Sequence, residues 1–217
     1  NSSGNVDTIT PVVTVDALGL SNDSTPVISG TSTEPAGTVI NIIITDSNGD
    51  EHPITATVDA NGDWQATSPE LPDGSYTVQA SITDDAGNTG GAVQSGNLDS
   101  LAPTLTLDTV GATNDSTPTI SGTSNAPVGT VITINVTDAD NTETFTATVQ
   151  ADGSWSADVP NALTDGPLTI EASVSDSAGN TTTLSEGATL DTNAPSINID
   201  ALMDTNDTTP NVSGTSS

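Results

Sequence analysis

The sequence predicts an all-β protein built from tandem β-sandwiches. Three observations support this fold class: a long internal repeat, short runs in which apolar and polar residues alternate, and turn residues between those runs. No segment shows the 3.6-residue apolar period of a helix over the length that a helix needs. The chain is therefore expected to consist of strands joined by turns and loops.

The repeat is marked by three prolines at a constant interval. Pro11, Pro103 and Pro195 each lie four residues after an aspartate, and their spacing is 103 − 11 = 92 and 195 − 103 = 92. A chain of 217 residues then holds two complete repeats and a truncated third. The predicted parts, arranged end to end, are a lead-in at 1–10, repeat one at 11–99, repeat two at 103–191, and the first two strands of repeat three at 195–217.

Each complete repeat divides into seven runs, A to G, that fit strands. Run A of repeat one is 11–16, run B begins at Val27 after Pro26, and run C is 38–45. A proline at the first residue of a strand is tolerated because its missing N–H falls at the end of the ladder. Alternate residues of runs C, D and F form the predicted core: Ile40, Ile42, Ile44, Ile54, Ala56, Val58, Tyr76, Val78, Ala80 and Ile82.

Turn residues separate the later runs. Asn61-Gly62 and Asp152-Gly153 fit tight hairpin turns, each just before a tryptophan. Seven strands in about 90 residues is the immunoglobulin-like number. Asp73-Gly-Ser-Tyr76 resembles the tyrosine corner of such domains, although repeat two has Leu168 at the tyrosine position.

The composition excludes several partners. The chain contains no Lys or Arg and 29 Asp and Glu, for a formal net charge of −29. Such a chain repels nucleic acid and anionic membrane surfaces, and no apolar run is long enough for membrane insertion. Cations are the natural partners, and the polar composition favours a secreted or cell-surface protein.

Covalent staples are also excluded. Cysteine is absent, so disulfides cannot stabilise the repeats, and the absence of lysine rules out Lys–Asn isopeptide crosslinks. Apart from the core and contacts between neighbouring repeats, metal ions remain as the staple available to small domains.

The ordered set of motifs resembles a known family. These motifs are Asp-x-x-Ala-Pro, Asn-Asp-Ser-Thr-Pro, Ile-Ser-Gly-Thr, Asn-Gly-Asp-Trp, Asp-Gly-Ser-Tyr-Thr-Val and Thr-Asp-Asp-Ala-Gly-Asn. Over almost the whole chain they resemble the bacterial immunoglobulin-like extender repeats of giant type I-secreted (RTX-type) adhesins and biofilm-associated surface proteins. The resemblance implies an extracellular stalk whose sandwiches bind calcium at their joints and hold a ligand-binding tip away from the cell.

Aspartates around the linkers are the predicted calcium ligands. Because strands alternate between the two ends of a sandwich, Asp16, Asp23 and Asp99 are expected at one end of repeat one, with Asp176 of repeat two facing them. Calcium takes six to eight carboxylate, amide and carbonyl oxygens. The full predicted set repeats these positions along the chain: Asp7, Asp16, Asn22, Asp23, Asp84, Asp99, Asp108, Asn114, Asp115, Asp176 and Asp191.

Simple turn formation is the alternative for each of these residues taken alone, because Asn and Asp side chains bond their own backbone. A second metal site is a further alternative at the turn between runs C and D, where Asp46 and Asp50 match Asp138, Asp140 and Glu143 of repeat two. That turn lacks the downstream glutamate of an EF-hand loop, which favours a plain turn.

Catalysis is not predicted. His52 is the only histidine, and repeat two is interpreted as having Thr144 in its place. A serine nucleophile would therefore lack a histidine or lysine base. Trp64 and Trp155 fit the edge of a core better than a sugar-binding platform.

The near-identity of the two repeats favours a structural extender with calcium-stiffened joints, and the family resemblance implies that such an extender supports cell adhesion and biofilm formation. Two alternatives stay open. One is a glycan- or protein-binding module, and the other is a subunit of a surface filament or S-layer, in which other copies of the chain would be partners.

Overall fold

The computed structural model describes residues 6–201, 203–204 and 206–217, and it is all-β, as predicted. Its strands, in chain order, are β1 (Leu20–Ser21), β2 (Val27–Thr31), β3 (Val39–Thr45), β4 (Glu51–Thr57), β5 (Asp63–Thr67), β6 (Gly74–Thr83), β7 (Thr89–Leu98), β8 (Ala112–Thr113), β9 (Thr119–Thr123), β10 (Val131–Thr137), β11 (Thr142–Thr148), β12 (Ser154–Asp158), β13 (Gly166–Ser175), β14 (Thr181–Leu190), β15 (Ile197–Ile199) and β16 (Gly214–Ser216). In the part of the chain so described, no helix is long and apolar enough to cross a membrane.

The chain divides into two compact units. Unit one comprises the described part of Asn1–Thr104 together with Ser175–Thr182. Unit two comprises Leu105–Val174 and the described part of Thr183–Ser217. The loop after β13 therefore belongs to unit one, although it is part of repeat two in the sequence.

Each complete repeat is an immunoglobulin-like sandwich with the same strand order. In repeat one, a five-stranded sheet has the order β1-β7-β6-β3-β4, and β2 pairs with β5 in a smaller sheet. Repeat two has the matching sheets β8-β14-β13-β10-β11 and β9-β12. Strands β2 to β7 thus correspond to runs B to G, and β4 and β11, which are the two run D strands, lie at sheet edges.

The core of each repeat lies between its two sheets. In β6 the buried residues Tyr76, Val78, Ala80 and Ile82 alternate with residues that face solvent, because successive side chains of a strand point to opposite faces. The predicted core of repeat one is buried except at Ile54, which is only partly buried and packs against the rest.

Run A is not the continuous strand that the sequence predicts. Val13 and Ser32 form an isolated antiparallel bridge, and the N–H groups of Thr14 and Asp16 donate to the carbonyls of Thr31 and Ser29 without forming a continuous ladder. The reason is that the Thr14 hydroxyl accepts the Thr31 N–H at 2.9 Å, so a side chain takes a ladder hydrogen bond that the backbone carbonyl of a strand residue would receive. Repeat two makes the matching bond from the Thr123 N–H to the Thr106 hydroxyl at 2.8 Å.

A glycine allows run A to come this close. A Cβ added at Gly30 would lie 2.0 Å from the Thr14 carbonyl oxygen and 2.8 Å from the Trp64 ring. Gly122 of repeat two has the same surroundings, with the Thr106 carbonyl oxygen at 2.0 Å. The glycine of the Ile-Ser-Gly-Thr motif is thus required for this close backbone approach.

The turn between β3 and β4 differs in length from the turn between β10 and β11. In repeat one the Asp46 N–H donates to the Asp50 carbonyl, whereas in repeat two the Asp138 N–H donates to the Asn141 carbonyl, one residue closer. The ranges of β6 and β13 are again 92 residues apart, so the segment before β13 regains the missing residue.

Because this turn is shorter in repeat two, the prediction that Thr144 takes the place of His52 is wrong. His52 lies opposite Ile44 in the β3–β4 register, and the matching residue opposite Val136 is Glu143, not Thr144. Thr144 is instead the counterpart of Pro53.

The described part of repeat three is a two-stranded sheet in which β15 pairs antiparallel with β16. Its residues Ile197, Ile199 and Val212 are exposed. Ile197 and Val212 correspond to Leu105 and Ile120, which lie 92 positions earlier in the chain. Both Leu105 and Ile120 are buried in the core of repeat two.

Candidate metal centre at the linker loops

Asp16 and Asp108 end run A in the two complete repeats. One carboxylate oxygen of Asp16 accepts the Ser29 hydroxyl at 2.6 Å, and Asp108 accepts the Ser121 hydroxyl at 2.7 Å. These bonds tie run A to run B. Both aspartates are exposed, so the carboxylates remain accessible to a cation.

Asp23 and Asp115 organise the turns that lead into run B. Oδ1 of Asp23 accepts the Thr25 N–H at 2.9 Å and the Thr25 hydroxyl at 3.0 Å. Oδ1 of Asp115 accepts the matching groups of Thr117 at 2.9 and 3.3 Å. Turn formation is therefore one role of these aspartates, and in each the second oxygen has no hydrogen bond among the described residues.

Asn22 and Asn114 directly precede these turns. Both Asn22 and Gly179 lie in unit one, and a Cβ added at Gly179 would be 3.7 Å from the Asn22 side-chain nitrogen. The structure thus places Asn22 next to the loop that carries Asp176.

Asp7, Asp99 and Asp191 are the linker aspartates. In each, Oδ1 accepts the N–H of the residue two positions later: Ile9 at 2.9 Å, Leu101 at 3.2 Å and Asn193 at 3.0 Å. This local bond turns the chain just before the proline that begins the next repeat. It leaves Oδ2 of Asp99 without a hydrogen bond among the described residues.

Asp84 and Asp176 begin the loops between runs F and G. Oδ1 of Asp84 accepts the N–H groups of Ala86 and Asn88 at 2.9 and 2.8 Å, and Oδ2 accepts the Asn88 side-chain amide at 2.9 Å. That amide is the main reason why the pKa of Asp84 lies below its ordinary value. The Asn180 amide lowers the pKa of Asp176 in the same way.

Sequence reasoning missed the role of these two asparagines. The Asn180 amide also donates to the backbone carbonyl of Asp99 at 2.7 Å, and Asn88 does the same to Asp7 at 3.2 Å. Each asparagine thus joins the carboxylate of its own loop to a linker. The available signal was its place at the end of both Asp-x-Ala-Gly-Asn motifs, 92 residues apart.

Two further aspartates hold the linkers, and the sequence did not predict their hydrogen bonds to the linker backbone. Asp73 accepts the Ser100 N–H at 2.8 Å, and Asp165 accepts the Thr192 N–H at 3.0 Å. Both precede the glycine that begins run F. The linker after each repeat is therefore fixed by a side chain of that same repeat.

The predicted ligands are brought near one another only in part. Asn180 links Asp99 to Asp176, and Asn22 lies beside the same loop. Within the described ranges, however, no three His, Cys, Asp or Glu side chains are arranged so that they could hold a metal ion. The convergence of Asp16, Asp23, Asp99 and Asp176 stays a prediction.

The alternative site at the β3–β4 turn has protein donors on its carboxylates. The buried Asp46 accepts the N–H groups of Asn48 and Asp50 on Oδ1, and Nε2 of His52 lies 2.9 Å from Oδ2. The hydrogen bond to His52 is the main reason why the pKa of Asp46 is lowered. These contacts fit a turn.

In repeat two the matching carboxylates also have protein donors. Asp138 accepts the Thr164 N–H at 2.8 Å, and this bond is the main cause of its lowered pKa. The Thr164 hydroxyl donates to Asp140, and the Asn161 amide donates to Glu143. Trp64 and Trp155 are 2% and 1% exposed, so neither ring offers a face to a sugar.

The chain is similar to known proteins over most of its length. Residues 13–100 and 93–192 each match the family model described as bacterial Ig-like domain. No curated protein matches the chain.

Several solved structures are similar to this chain. One, described as a tetra-tandem repeat in the extending region of a large adhesion protein, is 34% identical over 95% of this chain and 56% of its own, with a TM-score of 0.40. Another, described as a Ca²⁺-stabilized adhesin that helps an Antarctic bacterium reach out and bind ice, is 25% identical over 90% of this chain and 53% of its own, with a TM-score of 0.44. A third, described as the BSP domain of a biofilm-associated protein, is 22% identical over 83% of this chain and 30% of its own, with a TM-score of 0.32. The chain thus spans between 30% and 56% of these structures.

Proposed function

The chain belongs to the bacterial Ig-like domain family, and on that basis we propose that it is an extender segment of a large bacterial surface adhesin. Its repeats would hold a binding region away from the cell and so support cell adhesion and biofilm formation. The proposed location is the bacterial cell surface or the secreted fraction. The proposed repeat boundaries are those of the sequence period, 11–99 and 103–191.

The observation that carries this proposal is the equivalence of the two repeats at their loops. Asp16 and Asp108 bind matching serines, and Asp23 and Asp115 cap matching turns. A binding module is expected to carry a loop or an exposed aromatic residue that its neighbour lacks. Here the tryptophan of each repeat is buried, which favours interchangeable spacers.

We further propose that calcium ions bind at the linker loops and stiffen the chain. The ligands would be Asp16, Asn22, Asp23, Asp99 and Asp176, all of which belong to unit one. The proposed sets at the neighbouring linkers are Asp7 with Asp84, and Asp108, Asn114, Asp115 and Asp191. One of the similar solved structures is described as a Ca²⁺-stabilized adhesin, and the proposal extends calcium stabilisation to this chain.

The donor chemistry of this set fits calcium. Hard carboxylate and amide oxygens are the ligands that calcium prefers, and the chain has no Lys or Arg to compete for them. Asp23 and Asp99 each use one oxygen in a local turn, which leaves the other for a cation. When bound, the ion would supply positive charge that offsets repulsion among these carboxylates.

Calorimetric titration with calcium tests the metal site. We expect saturable binding that is weakened by Asp99→Asn and unchanged by Glu186→Gln, which removes the same charge from an exposed position of β14. Calcium should also raise the melting temperature more than sodium chloride does at equal ionic strength, because a bound ligand stabilises the native state beyond screening. Equal shifts with the two salts would reduce calcium to a screening ion.

Solution scattering tests the stiffening. We expect the maximum dimension to be larger in calcium than in chelator, and Asp99→Asn to abolish the difference. Calcium binding without any change in dimension would refute the stiffening and leave the extender role to direct packing.

A further inference from the structure

The two edge strands β4 and β11 differ in how well they are protected against pairing with another strand. An edge strand presents unpaired N–H and C=O groups, and natural proteins block such edges with proline or charge. The β4 sequence is Glu-His-Pro-Ile-Thr-Ala-Thr, whereas β11 is Thr-Glu-Thr-Phe-Thr-Ala-Thr. The β4 edge is thus blocked at its third residue, and the β11 edge is not.

The register shows which backbone groups of β11 face outward. Pro53 lies opposite Ile43 in the β3–β4 pair, and Thr144 lies opposite Asn135 at the matching place in β10–β11. A proline is accepted in an edge strand where its missing N–H would have faced solvent. The N–H of Thr144 therefore points away from the sheet.

Alternate residues of an antiparallel strand direct both backbone groups to the same side. The outward row of β11 therefore consists of Thr142, Thr144, Thr146 and Thr148, all of which are exposed. Among the described residues, β10 is the strand that pairs with β11. This row is available for hydrogen bonds to a further strand.

We propose that β11 pairs with β11 of a second copy of this chain, antiparallel and centred on Phe145. The segment suits self-pairing because it has high β-propensity, no Pro or Gly and a single charge. Centring on Phe145 places Thr144 opposite Thr146 and Thr142 opposite Thr148, so the outward rows of the two copies bond each other. The five-stranded sheets of two chains thereby become one continuous sheet.

The charges of β11 are compatible with a second copy. In this register Glu143 lies opposite Ala147, not opposite the second Glu143, so no like charges face each other directly. The Asn161 amide donates to Glu143 at 2.9 Å within its own repeat. Phe145, which is partly buried, meets its counterpart at the centre, where aromatic cross-strand pairs are favourable.

The ends of β11 are also compatible with antiparallel pairing. The acidic turn with Asp138 and Asp140 lies before β11, and the neutral Gln150 follows it. Antiparallel pairing sets the acidic end of one copy beside the neutral end of the other. In β4 the matching residue is Asp59, so the blocked edge also carries charge at both ends.

Sedimentation velocity in chelator tests the proposal separately from calcium. We expect a monomer–dimer equilibrium that shifts toward dimer as protein concentration and sodium chloride rise, because salt screens the net charge of −29. Thr144→Pro should give a monomer under all these conditions. Repeat one already accommodates proline at this register, and the circular dichroism spectrum checks that the variant is folded.

The converse variant is Pro53→Thr. It restores the missing N–H to β4 and should produce species larger than the dimer, because each chain then has two open edges. Amide hydrogen exchange gives a second measurement on the unmodified chain, in which Thr144 and Thr146 should become protected at high protein concentration. Association that persists in Thr144→Pro, through the exposed β15–β16 sheet for example, would overturn the proposal. So would a wild-type chain that stays monomeric, with unprotected amides, at every salt concentration.

Discussion

The two repeats fill the same place in their cores with different pairs of residues. In repeat one Tyr76 of β6 lies opposite Gly96 of β7, and a Cβ added at Gly96 would be 2.5 Å from the tyrosine ring. Repeat two has Leu168 and Ala188 at the positions 92 residues later, and both are buried. Repeat one thus combines a large side chain with a glycine, whereas repeat two combines a medium-sized side chain with an alanine. The difference teaches that the repeats conserve the volume of this layer and not its residues.

The β3–β4 and β10–β11 turns make the same point with polar groups. Asp46 and Asp138 each begin a turn and accept backbone N–H groups on Oδ1. The Oδ2 of Asp46 is bonded by His52 of the following strand, and that of Asp138 by the Thr164 N–H from the segment before β13. The carboxylate is kept in each turn, and its partner changes with the turn length.

The largest effect is expected where the repeats are identical. Gly30→Ala places a methyl group against the Thr14 carbonyl, which run A cannot avoid without leaving run B, so we expect repeat one to lose about 3 kcal/mol of stability. Gly122→Ala should cost repeat two a similar amount. Labelling Trp64 and Trp155 with fluorine gives one NMR signal per repeat, and these signals report the two unfolding transitions separately.

Gly19→Ala is the control for this comparison. No atom lies within 4 Å of a Cβ added there, and an exposed substitution of this kind changes stability by less than about 0.5 kcal/mol. Unequal losses of stability for Gly30→Ala and Gly122→Ala would show that the packing of run A against run B does not contribute equally to the stability of the two repeats.

The next effect concerns the Tyr76–Gly96 pair. Gly96→Ala alone overpacks the ring and should cost about 2 kcal/mol, and Tyr76→Leu alone leaves a cavity and should cost a similar amount. The double variant recreates the pair of repeat two, so we expect a stability within about 1 kcal/mol of the parent and a coupling energy of about 2 to 3 kcal/mol. Denaturant unfolding of the four proteins measures this cycle.

The reverse exchange in repeat two is the matched control. Leu168→Tyr should be destabilising alone and should be rescued by Ala188→Gly. If the single substitutions simply add in both repeats, the two pairs are not alternative solutions to one packing problem.

Much of the fold could be predicted from the sequence because it rests on local patterns. The alternation in β6 is a period of two residues, and the turn residues mark the strand ends. The broken run A was not predictable in this way, because it depends on the Thr14 hydroxyl meeting a backbone N–H 17 residues away. The counterpart of His52 was misassigned because a missing residue in one turn is regained before β13, which keeps the proline spacing at 92.

The candidate site was predictable in residue type and less so in contacts. The aspartates recur at fixed spacing, so they could be selected from the sequence. Their hydrogen bonds to nearby N–H groups are typical of turns. The contact from Asn180 to the Asp99 carbonyl spans 81 residues and follows only from the folded chain.

The smallest expected effect is on acid stability, and it sharpens the comparison of the two turns. The pKa of Asp46 is lowered from its ordinary 3.8, chiefly by the hydrogen bond with His52. A carboxyl whose pKa is lower in the folded state stabilises the fold above pH 3.8, and this contribution is lost as the pH falls through the lowered pKa. His52→Ala removes the main cause, so the Asp46 carboxyl should titrate closer to 3.8 and the stability of repeat one should depend less on pH below that value.

Asp138 is the internal control, because its pKa is lowered chiefly by the Thr164 N–H and no histidine lies at its turn. Carbon-13 NMR titration of the aspartate carboxyl groups follows both residues in one sample. In His52→Ala we expect the midpoint of Asp46 to rise while that of Asp138 stays constant. An unchanged midpoint for Asp46 would mean that the N–H groups of Asn48 and Asp50 hold this carboxylate without help from His52, and both turns would then stabilise their aspartates through backbone N–H donors despite their different lengths.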